Sequence, residues 1–217
     1  MNCVVVFGRE PRPGGVKTRL AQGIGDHAAA AVYGVLLEAT LRHASTVGSH
    51  LVLSLAESPS SGWNPPLEVP IELQVDGDLG RRMGHSFTRR FGDGYDRVVI
   101  IGSDCPALGP HHIVEAFKRL ADAPVVLGPA VDGGFWLIGQ KAPGPLDLSG
   151  IPWSSPGTLS ATRRRLRDLG VDWQELAELR DIDRPEDFRW AKAAPEVDRE
   201  LADRLRLAAT TERRGSP

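Results

Sequence analysis

Val98-Val99-Ile100-Ile101 is an unbroken β-branched run of strand length, and it passes at once into Gly102-Ser103-Asp104-Cys105-Pro106. A run with no polar alternation predicts a strand buried on both faces, as in a mostly parallel sheet covered by helices. In open sheets of that kind, ligands bind beyond the carboxyl ends of the strands. Asp104 stands at that position, and the proline two residues on bends the chain away. It is a candidate metal ligand at the floor of an active site. The plainer reading is a cap for the helix that Pro110 opens.

The rest of the chain alternates strand and helix. Cys3-Val4-Val5-Val6-Phe7 is a short buried strand, and residues 8–25 read as a loop. A helix capped by Asp26 carries Val32, Leu36 and Ala39 along one face. Strands over 50–56 and 71–75 flank a surface connection with four prolines. A helix over 79–91 leads into the Asp104 strand. Pro110 then opens a helix with Ile113, Ala116, Phe117 and Leu120 at helical spacing. Residues 124–128 form a strand, Asp132-Gly133-Gly134 a turn, and Phe135-Trp136-Leu137-Ile138 the neighbouring strand. A helix started by Ser155-Pro156 ends near Gly170, and one or two helices close the chain. This pattern predicts an α/β fold, a three-layer α/β/α sandwich with a mostly parallel, mixed sheet. A length of 217 residues suits one such domain, over 1–209, with residues 210–217 as a frayed polar tail.

Composition narrows the partners. A formal net charge of −2 gives no global attraction for nucleic acid or an anionic membrane, so any affinity for phosphate must be local. Two cysteines, Cys3 and Cys105, make neither a disulfide scaffold nor a CxxC metal site and suit a reducing cytoplasm. The chain enters a strand at once, without a signal peptide, and no apolar run is long enough to span a membrane. Oligomeric state is left open.

The local phosphate site is the loop after the first strand, Gly8-Arg9-Glu10-Pro11-Arg12-Pro13-Gly14-Gly15-Val16-Lys17-Thr18-Arg19-Leu20. Glycines let backbone N–H groups approach an anion, while lysine and arginine supply charge and donors. Lys17 and Arg19 reach the same side if the segment is extended. The bland alternative is a solvated basic loop. Walker A needs glycine directly before the lysine, where Val16 stands, so that motif is rejected. Gly23-x-Gly25-x-x-Ala28 has the letters of a dinucleotide fingerprint but begins too far beyond its strand.

Five segments in order resemble the GT-A superfamily of nucleotidyltransferases and nucleotide-sugar glycosyltransferases. Within it the chain is similar to the bacterial radical-SAM/selenodomain-associated, glycosyltransferase-like family. The segments are Arg9-x-Pro11-x-Pro13-Gly14-x-Val16-Lys17-Thr18-Arg19-Leu20, Gly77-Asp78-Leu79-Gly80-x-Arg82-Met83, Gly102-Ser103-Asp104-Cys105-Pro106, Gly128 to Gly139 and Asp181-Ile182-Asp183-x-Pro185-Glu186-Asp187. The resemblance implies a Rossmann-like nucleotide-binding fold. It implies that Lys17 and Arg19, with Arg9, Gly14 and Gly15, grip nucleotide phosphates, and that Gly77, Asp78 and Gly80 line the nucleoside pocket. Asp104 and Asp183 would hold Mg2+ or Mn2+, and Asp132 with its two glycines would face the second substrate. The loop departs from the Gly-x-Gly-x-Arg-Met spelling of the sugar-nucleotide pyrophosphorylases, so base selectivity does not carry over.

Each site residue has a structural alternative. Asp183 precedes Pro185 and reads equally as a helix cap, and Asp76-x-Asp78 and Asp132 as turn residues. Most of Arg163, Arg164, Arg165 and Arg167 read as solvated on one helix face. Adjacent His111 and His112 do not have metal-ligand spacing on a helix. Cys105, without a nearby histidine, reads as a packing residue. The expected activity is magnesium-dependent nucleotidyl transfer from an NTP to a small phosphorylated or acidic acceptor. One alternative is glycosyl transfer from a nucleotide-sugar, with Asp132 as base. The other is a nucleotide-binding module without turnover.

Overall fold

A computed structural model describes residues 1–210. Strands β1 (Asn2–Gly8), β2 (His50–Leu55), β3 (Ile71–Leu73), β4 (Arg97–Ile101), β5 (Val125–Pro129), β6 (Phe135–Lys141) and β7 (Trp173–Glu175) make one sheet in the order β3-β2-β1-β4-β6-β5-β7. All neighbours are parallel except β6, which runs against β4 and β5. The other six strands therefore point the same way. Their carboxyl ends, and the start of β6, form one edge that carries all five motif segments.

Side chains alternate across the sheet as period-two strands require. Val4, Val6, Val99 and Ile101 face α2 (Asp26–Ser45) and α4 (Pro110–Asp122), while Cys3, Val5, Val98 and Ile100 face α3 (Leu79–Gly92) and α5 (Thr158–Asp168). This is the expected three-layer mixed sandwich. A third apolar cluster lies outside the sheet, where α1 (Thr18–Ile24) and α2 meet α6 (Pro185–Ala191) and α7 (Arg199–Ala208) through Leu20, Val32, Leu36, Ile182, Phe188 and Leu205. Among the described residues no helix is long and apolar enough to cross a membrane.

Four local expectations are corrected. Residues 18–24 are helical, because Leu20 gains a fully buried place against Ile182 that a seven-residue glycine-flanked segment does not advertise. The N-cap of α2 is Gly25, and Asp26 is the first helical residue, where its charge favours the helix dipole. The third strand stops at Leu73; Gln74 still donates its N–H to the Leu55 carbonyl, and its side-chain amide donates to the Ser54 carbonyl. Arg163 and Arg165 are not merely solvated: Arg163 grips both oxygens of Glu175 at 2.7 and 2.6 Å, and Arg165 pairs with Asp147. Residues 211–217 of the expected tail lie outside the described residues.

Candidate functional site

The first-strand loop is fixed from below. Val16 is buried with Ala30 and Tyr33 of α2. The Tyr33 phenol, itself buried, accepts from the Arg9 backbone N–H at 2.9 Å and bonds Ser103 Oγ at 2.9 Å. It thus joins the start of the basic loop to the residue beside Asp104. Nothing in the spacing of Tyr33 within an alanine-rich helix marked it for this role.

Lys17 opens α1 in the left-handed region, at φ 51, which is strained for a residue with a side chain. Its Nζ lies 3.0 Å from Asp104 Oδ2, and its side chain is only 7% exposed, so the charge points inward. Arg19, on the first turn of α1, bonds Asp183 Oδ2 at 2.8 Å. Lys17 and Arg19 therefore converge through a helix start and not through an extended segment. The convergence rests on packing: Leu20 of α1 and Ile182, between the two distal aspartates, share one apolar cluster. The Ile182 N–H donates to the Asp104 carbonyl at 3.0 Å, which ties the distal segment to the β4 end.

Neither carboxylate is a cap. The N-cap of α4 is Gly109 and that of α6 is Arg184. The residue that reaches back at α6 is Asp187, whose Oδ2 accepts from the Asp183 and Arg184 N–H groups while Oδ1 binds Arg180. Asp187 holds the Asp183 backbone in place, a role the Pro185-Glu186-Asp187 order signals only in hindsight.

Two cavities open on this edge. The first, about 820 Å3, is lined by Arg9, Gly15, Lys17, Gly77, Asp78, Asp104 and Asp183 of the expected residues, with Tyr33, Gln74, Arg82, Trp153 and Ser154 in addition. Gly14 is exposed in the adjoining turn, at φ 73. Arg9 is engaged by Glu57 at 3.1 Å. Asp78 caps α3 by accepting from Arg81 N–H at 2.8 Å. Gly80 is not a lining residue. It is buried under Trp153, whose ring a Cβ would meet at 2.7 Å. Arg82 donates to the Gly77 carbonyl and lies 3.4 Å from Gln74 Oε1, so this pair closes the side nearest β3.

The second cavity, about 690 Å3, shares Leu79, Gly102, Asp104, Ser154 and Asp183 with the first. The two therefore meet at the paired carboxylates. Asp132 lines the second cavity and accepts from Gly134 N–H through Oδ1 at 2.8 Å, so the turn reading of this residue also holds. Gly133 is required there: its φ is +87, and a Cβ would stand 2.1 Å from the Pro156 carbonyl oxygen. Asp181 lines the same cavity and was not singled out from the sequence. Burial first, and then the charge of Asp132, push its carboxyl up from 3.8 to about 6. Ser154, at the junction, is with Lys17 one of two non-glycine residues at positive φ among the described residues, at 58. Cys105 is buried, and its thiol is pushed well up by that burial, which fits packing and not nucleophilic chemistry.

The donor set can be tested against a divalent cation. Asp104 Oδ1 is buried without a hydrogen-bond partner among the described residues, while Oδ2 is held by Lys17. Among the described residues no three or more His, Cys, Asp or Glu side chains form a protein-only metal cage. Magnesium commonly takes one or two carboxylates and completes its shell with phosphate and water oxygens. Asp104 with Asp183 fits that chemistry.

Residues 39–155 match a family model described as "Uncharacterized protein conserved in bacteria (DUF2064)". The chain belongs to this family. The DUF2064 match holds Asp104 and Asp132 but stops short of Lys17 and Arg19 on one side and Asp183 on the other. No curated protein matches the chain. A solved structure from Desulfovibrio desulfuricans G20, named a "putative nucleotide-diphospho-sugar transferase", is 28% identical, with a TM-score of 0.86 over 95% of this chain and 94% of that one. The fold is thus that of the nucleotide-diphospho-sugar transferases. CMP:2-keto-3-deoxy-manno-octonic acid synthetase, solved with CTP, shares the fold at 13% identity and a TM-score of 0.50, over 85% of this chain and 94% of that one.

Proposed function

We propose that this protein is a nucleotide-dependent transferase that places a donor nucleotide in the first cavity and an acceptor in the second. The observation that carries the reading is the meeting of the two cavities at Asp104 and Asp183, each carboxylate already opposed by a cation, Lys17 and Arg19. A reacting group shared by two substrates must sit at such a junction. Lys17 and Arg19 supply positive charge and N–H donors for phosphate oxygens, as electrostatic stabilisation of a phosphoryl-transfer transition state requires. Asp104 and Asp183 would hold Mg2+ or Mn2+, which neutralises phosphate charge when bound. Gln74 and Arg82 stand where a base or ribose would be read.

In the nucleotidyl reading, an acceptor oxygen forms a bond to the α-phosphorus of an NTP. The α–β bridging bond breaks, pyrophosphate leaves with the bonding electrons, and the acceptor proton passes to Asp132 or water. Arg9, Lys17 and Arg82 line the first cavity, and this local positive charge favours a triphosphate. A second reading is favoured by the name of the 28%-identical structure: the acceptor oxygen bonds the anomeric carbon of a nucleotide-sugar, and the nucleoside diphosphate leaves. The site needs no protein nucleophile in either case. In this reading both donor and acceptor are small molecules.

Phosphorus-31 NMR on the purified protein with Mg2+, cell-extract metabolites and either NTPs or nucleotide-sugars separates the readings. Pyrophosphate from an NTP supports the first. Nucleoside diphosphate from a nucleotide-sugar supports the second. No turnover together with nucleotide binding that survives Asp104→Ala and Asp183→Ala leaves a binding module.

A further inference from the structure

Two arginines of the first-strand loop meet a single carboxylate. Arg9 Nη1 donates to Glu57 Oε1 at 3.1 Å, and Arg12 Nη2 donates to Glu57 Oε2 at 3.0 Å. The backbone around all three residues is fixed. Tyr33 accepts from the Arg9 N–H, the Arg12 N–H donates to the Glu10 carbonyl at 2.8 Å, and the Ala56 N–H donates to the Gly8 carbonyl at 3.0 Å. Glu10, with a side chain only 8% exposed, accepts from the Ser60 N–H at 2.8 Å and from the Ser60 hydroxyl at 3.0 Å. Glu57 is thus held from both sides, one residue beyond Ala56, which lines the first cavity together with Arg9.

A carboxylate that gives one oxygen to each of two guanidinium groups makes the contacts a phosphate would make there. Both ion pairs are about half exposed, so each is weak and open to exchange. Lys17 differs, because its side chain is buried and aimed at Asp104. A tethered carboxylate competes with a ligand anion at a fixed effective concentration, however dilute the ligand is. Glu57 therefore lowers the affinity of Arg9 and Arg12 for any anion without abolishing it.

Resting on the nucleotidyl reading above, we propose that Glu57 is an internal counter-anion for product release. It yields Arg9 and Arg12 to the β- and γ-phosphates of a bound triphosphate and takes them back as pyrophosphate leaves. The cations that hold the triphosphate also retain the pyrophosphate, and the returning carboxylate replaces the negative charge that each guanidinium loses. Glu57 takes no part in bond making or breaking. A nucleoside monophosphate has no β- or γ-phosphate and does not enter this exchange.

Titration calorimetry of inorganic pyrophosphate with Mg2+ on the intact protein tests the proposal, with phosphorus-31 exchange NMR reading the dissociation rate. Glu57→Gln and Glu57→Ala, each checked for an unchanged melting transition, should bind pyrophosphate about threefold to tenfold more tightly than the parent, as the loss of two weak ion pairs allows, and release it correspondingly more slowly. The four nucleoside monophosphates should bind parent and variants within about twofold of one another. In an Arg9→Gln, Arg12→Gln background, Glu57→Gln should change pyrophosphate affinity by less than about twofold, because the competition needs the arginines. Pyrophosphate affinity that is unchanged or weaker in both Glu57 variants overturns the proposal. So does equal tightening of the monophosphates, or tightening that persists without the arginines, since either reduces Glu57 to its general charge. A parent that binds nucleoside triphosphates while Glu57→Gln leaves pyrophosphate unaffected loses the release role alone, whereas a parent that binds neither anion loses the nucleotidyl reading as well.

Discussion

Tyr33 shows how one buried hydroxyl sets the geometry of a site it does not perform chemistry in. Its oxygen takes the Arg9 N–H and bonds Ser103, so both the basic loop and the β4 end are referred to one atom. Tyr33→Phe leaves those two groups without that partner and should cost about 1 kcal/mol, a melting-temperature drop of roughly 2–4 °C, read by calorimetry. Lys17 is different: it is 7% exposed and its partner Asp104 41%, so its removal leaves a partly buried carboxylate unopposed. Lys17→Met should cost about 1–3 kcal/mol of stability and, in the folded protein, bind nucleoside triphosphates at least tenfold more weakly by titration calorimetry. A Lys17→Met protein that binds nucleotide normally would take the lysine out of the site. Cys3 belongs to the core: burial pushes its thiol up to about 12. Because the folded value lies above the ordinary thiol value of 9.0, this contribution to stability is present below pH 9 and is lost as pH rises towards 12. Native protein should resist a thiol reagent at pH 8 at both Cys3 and Cys105, and guanidinium-unfolded protein should release two equivalents.

Among the elements, α1 has the most consequence for its length. It spans seven residues, too few to be stable alone, and is held by Leu20 in the cluster built from α2, α6 and α7. Leu20→Ala should destabilise the protein by about 2–5 kcal/mol and, in the folded fraction, weaken nucleotide binding by loosening Lys17 and Arg19 together. Denaturant unfolding and a binding titration on the same sample check both effects. This helix also marks where the sequence stops being legible. Continuous β-branched runs and helical stripes identify the central strands, the two faces and the positions of Asp104 and Asp132, because those patterns are local. The burial of Leu20 against Ile182 is not local, so the helix reads as loop. For the same reason Asp181 and Asp187 look like ordinary acidic residues until the segment ahead of α6 is tied back to the chain just past β4. The two cap readings of Asp104 and Asp183 fail on register alone, since Gly109 and Arg184 occupy the capping positions.

At the scale of the whole molecule, six co-directional strands deliver every motif to one edge, and the C-terminal helices return the last acidic segment to it. Ion pairs spread over the surface add an acid limit. Arg163, through its hydrogen bonds, holds the Glu175 carboxyl below its usual 4.5, so the stability this pair contributes is present above that value and is lost as pH falls through the depressed one. Unfolding measured from pH 7 down to 3 should show the parent losing stability more steeply than Arg163→Ala. The central claim is that the two cavities form one bisubstrate site with Asp104 and Asp183 at the junction. Titration calorimetry of nucleoside triphosphates and nucleotide-sugars, with and without Mg2+, tests it on the parent and on an Asp104→Asn, Asp183→Asn double variant. The account predicts binding by the parent that Mg2+ tightens at least tenfold and a double variant blind to Mg2+. A parent that binds no nucleotide, or a double variant that keeps the full Mg2+ effect, would contradict it.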